Sequence, residues 1–237
     1  MINAVGIVGG MGSYATVDFF RRIVDAFPAV KEWDRPRILI DNYCTMPSRV
    51  RAILYNERRD ELIADLCSSV KGLLNAGAER LIFACNTSHV FIPEILERVP
   101  EARNRIINII ESCARELREL RTGGGGIAEY LVLATEGTIE TGIYHDIFSR
   151  YDILVKAPER EDYAELRYFI EAVKQNTISA EVMRKFQVFA DGFGQKNIIL
   201  GCTELPVLYS ECMKNGLTFR SNIYDPLQSA INVLVRL

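Results

Sequence analysis

Short apolar runs alternate along this chain with stretches of helical periodicity. Residues 4–8 are nearly all apolar and read as a buried strand, and residues 16–27 as a helix capped by Thr16. Residues 37–41 read as a second strand. Over residues 60–75, Leu62, Ile63, Leu66, Val70, Leu73 and Leu74 fall on one helical face, and Gly77 follows as a stop. Residues 81–84 read as a third strand, 91–98 as a short helix, 105–110 as a fourth strand and 111–120 as a helix. The four consecutive glycines at 123–126 pack nothing and read as a linker. The pattern then restarts. Residues 130–134 read as a strand, 135–138 as a turn and a helix begins near Glu140. Helices over 163–174 and 180–193, a strand over 197–200 and a turn over 201–204 follow. Such alternation predicts α/β layers around mainly parallel sheets.

The restart has the form of an internal repeat. AVGIVGGMGSYAT at residues 4–16 parallels YLVLATEGTIETG at 130–142, and RLIFACNTSH at 80–89 parallels NIILGCTELP at 197–206. Gly12 and Gly137 stand 125 positions apart, and Cys85 and Cys202 stand 117 apart. The expected architecture is therefore two pseudo-symmetric lobes, with the active site in the cleft between them. The first lobe is assigned residues 1–118 and the second 119–215. The tail, 216–237, contains a strand-like start at 218–224 and a helix, and is expected to return to the first lobe.

Composition narrows the function classes. A chain of 237 residues makes one large domain or two small ones at roughly 150 residues per domain. Its net charge of −3, without a basic block, argues against a nucleic-acid or anionic-membrane partner. No apolar run approaches the roughly 18 residues of a membrane span, and the start carries no basic region of a signal peptide. The six cysteines are scattered, as expected for reduced thiols in a cytoplasm. Cys67, Cys113 and Cys212 sit in or near helical patterns and read as structural, while Cys44 falls in a loop.

Cys85 and Cys202 are different, because each follows an apolar strand. The carboxyl ends of parallel strands are where ligands bind, and helix starts there favour thiolate. Two thiols on opposite faces of a ligand suit moving a proton from one side of a carbon to the other. Zinc and redox dithiols both favour C-x2-C spacings, which do not occur here. No metal is expected.

Five blocks carry a resemblance over nearly the whole chain: GGMGSYAT at 9–16, MPSRVRAIL at 46–54, ACNTSH at 84–89, ATEGTIETGIY at 134–144 and GCTELP at 201–206. Together they resemble the aspartate/glutamate racemase superfamily, and within it the aspartate racemase branch that works without pyridoxal phosphate. Ser13, Ala84 and the run 48–50 depart from the residues usual in that branch. The resemblance implies Cys85 and Cys202 as the catalytic pair. It implies Asn86, Thr87, Thr203 and Glu204 as turn groups for the substrate ammonium and carboxylate, with Met11 and Thr138 in the two equivalent turns. Arg49 matches an arginine near the substrate, and Lys174 a lysine near its side-chain carboxylate. It also implies no cofactor, an acidic amino acid as substrate and a homodimer.

Alternatives stand beside these roles. The threonines cap helices equally well, and Arg49 and Lys174 also fit solvated surface charges. His89, one turn after Cys85, either polarises that thiol or packs a helix start, and His145 reads as structural. On the same scaffold, glutamate, a hydantoin or maleate is an alternative substrate. A dinucleotide-binding oxidoreductase is the other rival, because residues 10–15 fit G-x-G-x-x-A, although Asp41 lies later than that fingerprint expects.

Overall fold

The computed structural model describes residues 2–120 and 128–237; the glycine run at 123–126 lies outside them. In the first lobe β1 (Ala4–Gly9) lies between β2 (Arg37–Asn42) and β3 (Arg80–Phe83), all parallel. In the second, β4 (Glu129–Leu133) lies between β5 (Leu154–Lys156) and β6 (Asn197–Leu200), also parallel. Each lobe thus begins with its central strand and adds the next two on either side.

The repeat extends one unit further. Ile106 bridges Leu81 beyond β3, and β7 (Asn222–Tyr224) pairs with β6 through Ile198 and Ile223. Ile106 and Ile223 are 117 positions apart, the same offset as the two cysteines. The tail strand therefore completes the second sheet, contrary to the expectation that it returns to the first lobe. Its edge partner β6 supplies the hydrogen bonds a fourth strand needs. Only the tail helix α11 (Pro226–Val235) packs back, against α5 (Ile109–Leu120) and α1 (Ser13–Ala26).

Alternation along each strand sorts the cores. Val5 and Ile7 of β1, and Tyr130 and Val132 of β4, face a core shared by both lobes with Ile110, Phe148 and Ile231. Val8 and Phe83 face the opposite way, onto Leu62, Leu66 and Val70 of α3 (Arg59–Asn75). Leu131 and Leu133 pack on Phe169 of α8 (Tyr163–Lys174) and Phe186 of α9 (Ala180–Gly192). Burial of each such side chain is worth roughly 1.5–3 kcal/mol. The shared core holds the facing edges of the lobes in fixed register.

Several local expectations change. Gly12, not Thr16, caps α1; the Thr16 hydroxyl accepts from the Gly10 amide and donates to the Gly12 carbonyl, bracing the turn. The expected strand over 105–110 shrinks to the single bridge at Ile106, because Asn108 accepts from the Ile110 and Glu111 amides and starts α5 there. The helix expected near Glu140 is two: α6 (Glu136–Glu140) and α7 (Ile143–Phe148), parted by Gly142 at a φ of 66°. A helix not anticipated, α2 (Arg49–Tyr55), begins where Ser48 caps the Arg51 amide. The other helices are α4 (Ile92–Arg98) and α10 (Glu204–Lys214).

Candidate active site

Strand β3 ends as the Ala84 amide bonds the Val8 carbonyl, and β6 ends as the Gly201 amide bonds the Leu133 carbonyl. Each sheet thus delivers its cysteine one residue later, at its carboxyl edge. The two turns touch: Thr203 donates its hydroxyl to the Ala84 carbonyl at 3.2 Å. The residue after one cysteine is thereby bonded to the residue before the other. Both thiols are nearly sealed, at 8% and 5% exposure for Cys85 and Cys202.

The Cys202 thiol donates to Glu204 Oε2 at 2.9 Å. Burial pushes this thiol well above the ordinary cysteine value. The Glu204 carboxylate and negative charge at Cys85 push the same way, while Lys174 opposes them. Cys202 therefore rests protonated. Lys174 loses solvation on burial, but the charge of Glu204 and a 3.0 Å bond to Glu171 hold it above the usual lysine value.

The other Glu204 oxygen, Oε1, is buried and has no hydrogen-bond partner among the described residues; the same holds for Asn86 Nδ2. One free acceptor and one free donor thus stand in the turns that follow the two thiols. Such groups are costly to bury unless something pairs with them. Glu204 Oε1 also lies directly over Gly12, where it would collide with an added Cβ. A carboxylate therefore occupies the α1 entrance where a dinucleotide fingerprint would seat a pyrophosphate, so this turn is not built for one.

Hydroxyls join the lobes. Thr87 meets Thr138 at 2.8 Å and Thr135 at 3.0 Å, and Thr135 meets Thr138 at 2.9 Å. Tyr144 donates to Asn86 Oδ1 at 2.6 Å, and its oxygen lies 3.2 Å from where a Cβ on Gly201 would be. Arg49 reaches back from α2 to the carbonyls of Met11, at 2.8 Å, and Pro47, at 3.0 Å, and so holds the first glycine turn. Met11 is buried in that turn.

The structure thus brings Cys85, Asn86, Thr87, Thr138, Cys202, Thr203 and Glu204 to the seam, with Met11 in the adjoining turn, Arg49 bonded to it from α2 and Lys174 within electrostatic reach of Glu204. Sequence reading missed Thr135, Tyr144 and Gly12 as members. All three lie inside the blocks that carry the resemblance, but nothing in their spacing shows an inter-lobe contact. His89 does not reach the thiol. Its Nδ1 donates to the Cys85 carbonyl at 2.9 Å and its Nε2 accepts from the Ile109 amide at 3.3 Å. Burial lowers its pKa to about 4, so it stays neutral and acts as a helix-start brace. Among the described residues no three His, Cys, Asp or Glu side chains converge as a metal site.

Beside the seam, between α2 and α8, opens a cleft of about 330 Å³. Val50, Leu54, Leu166 and Ile170 supply its apolar wall, and Thr135 and Lys174 border it. Neither cysteine lines it; of the candidate substrate-binding residues named from sequence, Lys174 alone does, among those described.

Two similar parallel sheets with paired cysteine turns at their seam define a class of two-lobed racemases. The chain belongs to the Asp/Glu/hydantoin racemase family, whose sequence profile matches residues 8–234. It is 25% identical over 207 residues to a broad-specificity amino-acid racemase of Bacillus subtilis, covering 85% of each chain. The Picrophilus torridus aspartate racemase superposes with a TM-score of 0.81 at 25% identity, covering 99% of this chain and 93% of that one. A Francisella tularensis glutamate racemase shares the fold, with a TM-score of 0.66 at 17% identity over 99% of this chain and 80% of that one.

Proposed function

We propose that this racemase interconverts L- and D-aspartate by proton transfer between Cys85 and Cys202, with no pyridoxal phosphate. The observation that carries the reading is the joining of the two cysteine turns by Thr203 and Ala84. It is supported by the resemblance to the aspartate racemase branch. One cysteine, as thiolate, takes the α-proton. The other, as thiol, gives its proton to the opposite face of the carbanion. The two sulfurs end with exchanged protonation states, and no other group is consumed.

The resting proton on Cys202 makes it the donor in the first encounter, with Cys85 the acceptor. Glu204 Oε2 accepts from the resting Cys202 thiol, and after one turnover Cys85 holds the proton while Cys202 is the thiolate that takes the α-proton in the reverse direction. Glu204 Oε1 accepts from the substrate ammonium, and Asn86 Nδ2 donates to a substrate carboxylate. Sealing the thiols from water strengthens every charge interaction with the developing carbanion. Lys174 faces the side-chain carboxylate.

The test is incubation with L-aspartate in D₂O without added cofactor. Deuterium appears at the α-carbon as optical rotation decays to zero. Retention of both the α-proton and the rotation contradicts the reading.

A further inference from the structure

The cleft between α2 and α8 carries three cations on its wall, and each is already held by a carboxylate of the chain. Arg51 pairs with Glu57, Arg167 with Glu136 at 2.7 Å and Lys174 with Glu171 at 3.0 Å. An incoming side-chain carboxylate therefore meets on this wall only cations that already hold a carboxylate of the chain. An uncharged side chain meets Val50, Leu54, Leu166 and Ile170, with far more room than aspartate fills.

The Lys174–Glu171 pair decides the outcome, because Lys174 is the member within electrostatic reach of Cys202 and Glu204. Both residues sit in the last turn of α8, three positions apart. The Glu171 side chain is 45% exposed and that of Lys174 32%. Such a half-exposed pair is worth only about 0–1 kcal/mol. A substrate carboxylate can displace Glu171, but only by giving up part of its own attraction to Lys174. An amide in the same position gives up nothing.

We propose that Glu171 is a specificity-determining residue: by holding Lys174 it opens the range of this site to amino acids with uncharged side chains, alongside acidic ones. The inference rests on the racemase reading and adds its substrate range.

The experiment compares L-aspartate with L-asparagine, which differ in charge but hardly in shape. Rates of α-deuterium incorporation in D₂O give kcat/KM for each substrate. The wild-type chain turns over both. Glu171→Gln raises the aspartate-to-asparagine ratio about two- to fivefold, chiefly through a lower KM for aspartate. Glu165→Gln, on the same helix but away from the cleft, leaves the ratio unchanged and controls for the general loss of negative charge. A wild-type chain that deuterates aspartate but not asparagine overturns the inference and leaves the racemase reading intact. So does a Glu171→Gln ratio equal to wild type, or a Glu165→Gln shift of the same size. Failure to deuterate either substrate overturns both.

Discussion

Tyr144 donates its hydroxyl hydrogen to Asn86 Oδ1 across 2.6 Å, joining α7 of the second lobe to the residue after Cys85 in the first. An amide whose oxygen is held this way must present its nitrogen elsewhere, and Asn86 Nδ2 has no partner among the described residues. Tyr144 thereby fixes which end of Asn86 is left unpaired in the turn after Cys85. Burial pushes its phenol well above the ordinary tyrosine value, so it remains a donor throughout the working pH range.

Removing that hydroxyl frees the amide to turn over. Tyr144→Phe is expected to lower kcat/KM about tenfold, mostly in KM, with a stability loss of about 1–3 kcal/mol for the unsatisfied oxygen. Steady-state kinetics and chemical denaturation measure the two effects. An unchanged KM contradicts the positioning role.

The Glu204 carboxylate raises the Cys202 pKa and Lys174 lowers it, so substitutions at the two move that thiol in opposite directions. Glu204→Gln is expected to shift alkylation of Cys202 to lower pH, and Lys174→Met to shift it to higher pH. Mass spectrometry of the Cys202 peptide after timed iodoacetamide treatment reads both shifts. Equal or reversed shifts contradict the arrangement.

Gly12 has an extended backbone, with φ at −175°, that any residue adopts, so alanine there meets no backbone strain. The added methyl instead collides with Glu204 Oε1, the free end of a side chain. Gly12→Ala is expected to fold, with a Tm within a few degrees of wild type, while kcat falls about 10²-fold. A thermal melt and initial rates check the pair of outcomes.

His89 is neutral in the folded chain down to about pH 4, whereas an exposed histidine titrates near 6.5. Between those values the unfolded chain binds the extra proton. Stability is therefore complete above pH 6.5 and falls as pH drops toward 4, by up to about 3 kcal/mol. Urea denaturation at pH 7 and pH 5 measures the loss. His89→Gln is expected to be less stable at pH 7 and to show a smaller loss between the two.

Much of the fold was legible because periodicity and repeats are local signals. The α3 stripe, the central strands and both cysteine turns announce themselves within a dozen residues. The lobe equivalence was visible in the 117-residue offset of Cys85 and Cys202. The same offset places the tail strand beside β6, but the motif at Ile106 is too short for sequence reading to pair it with Ile223. Contacts between the lobes were not legible. Thr87 with Thr135, and Asn86 with Tyr144, are 48 and 58 positions apart, and no pattern within either segment records its partner. The role of His89 likewise follows from the Ile109 amide it caps, which only the folded chain brings near.

The central claim is that Cys85 and Cys202 serve opposite faces of one carbon, and single-thiol variants test it most directly. L- and D-aspartate are incubated separately in D₂O with Cys85→Ala and with Cys202→Ala, and α-proton exchange is followed by NMR alongside optical rotation. Each variant is expected to exchange the α-proton of one enantiomer without inverting it, and the two variants to select opposite enantiomers. A variant that still racemises aspartate, or two variants that select the same enantiomer, would contradict the account.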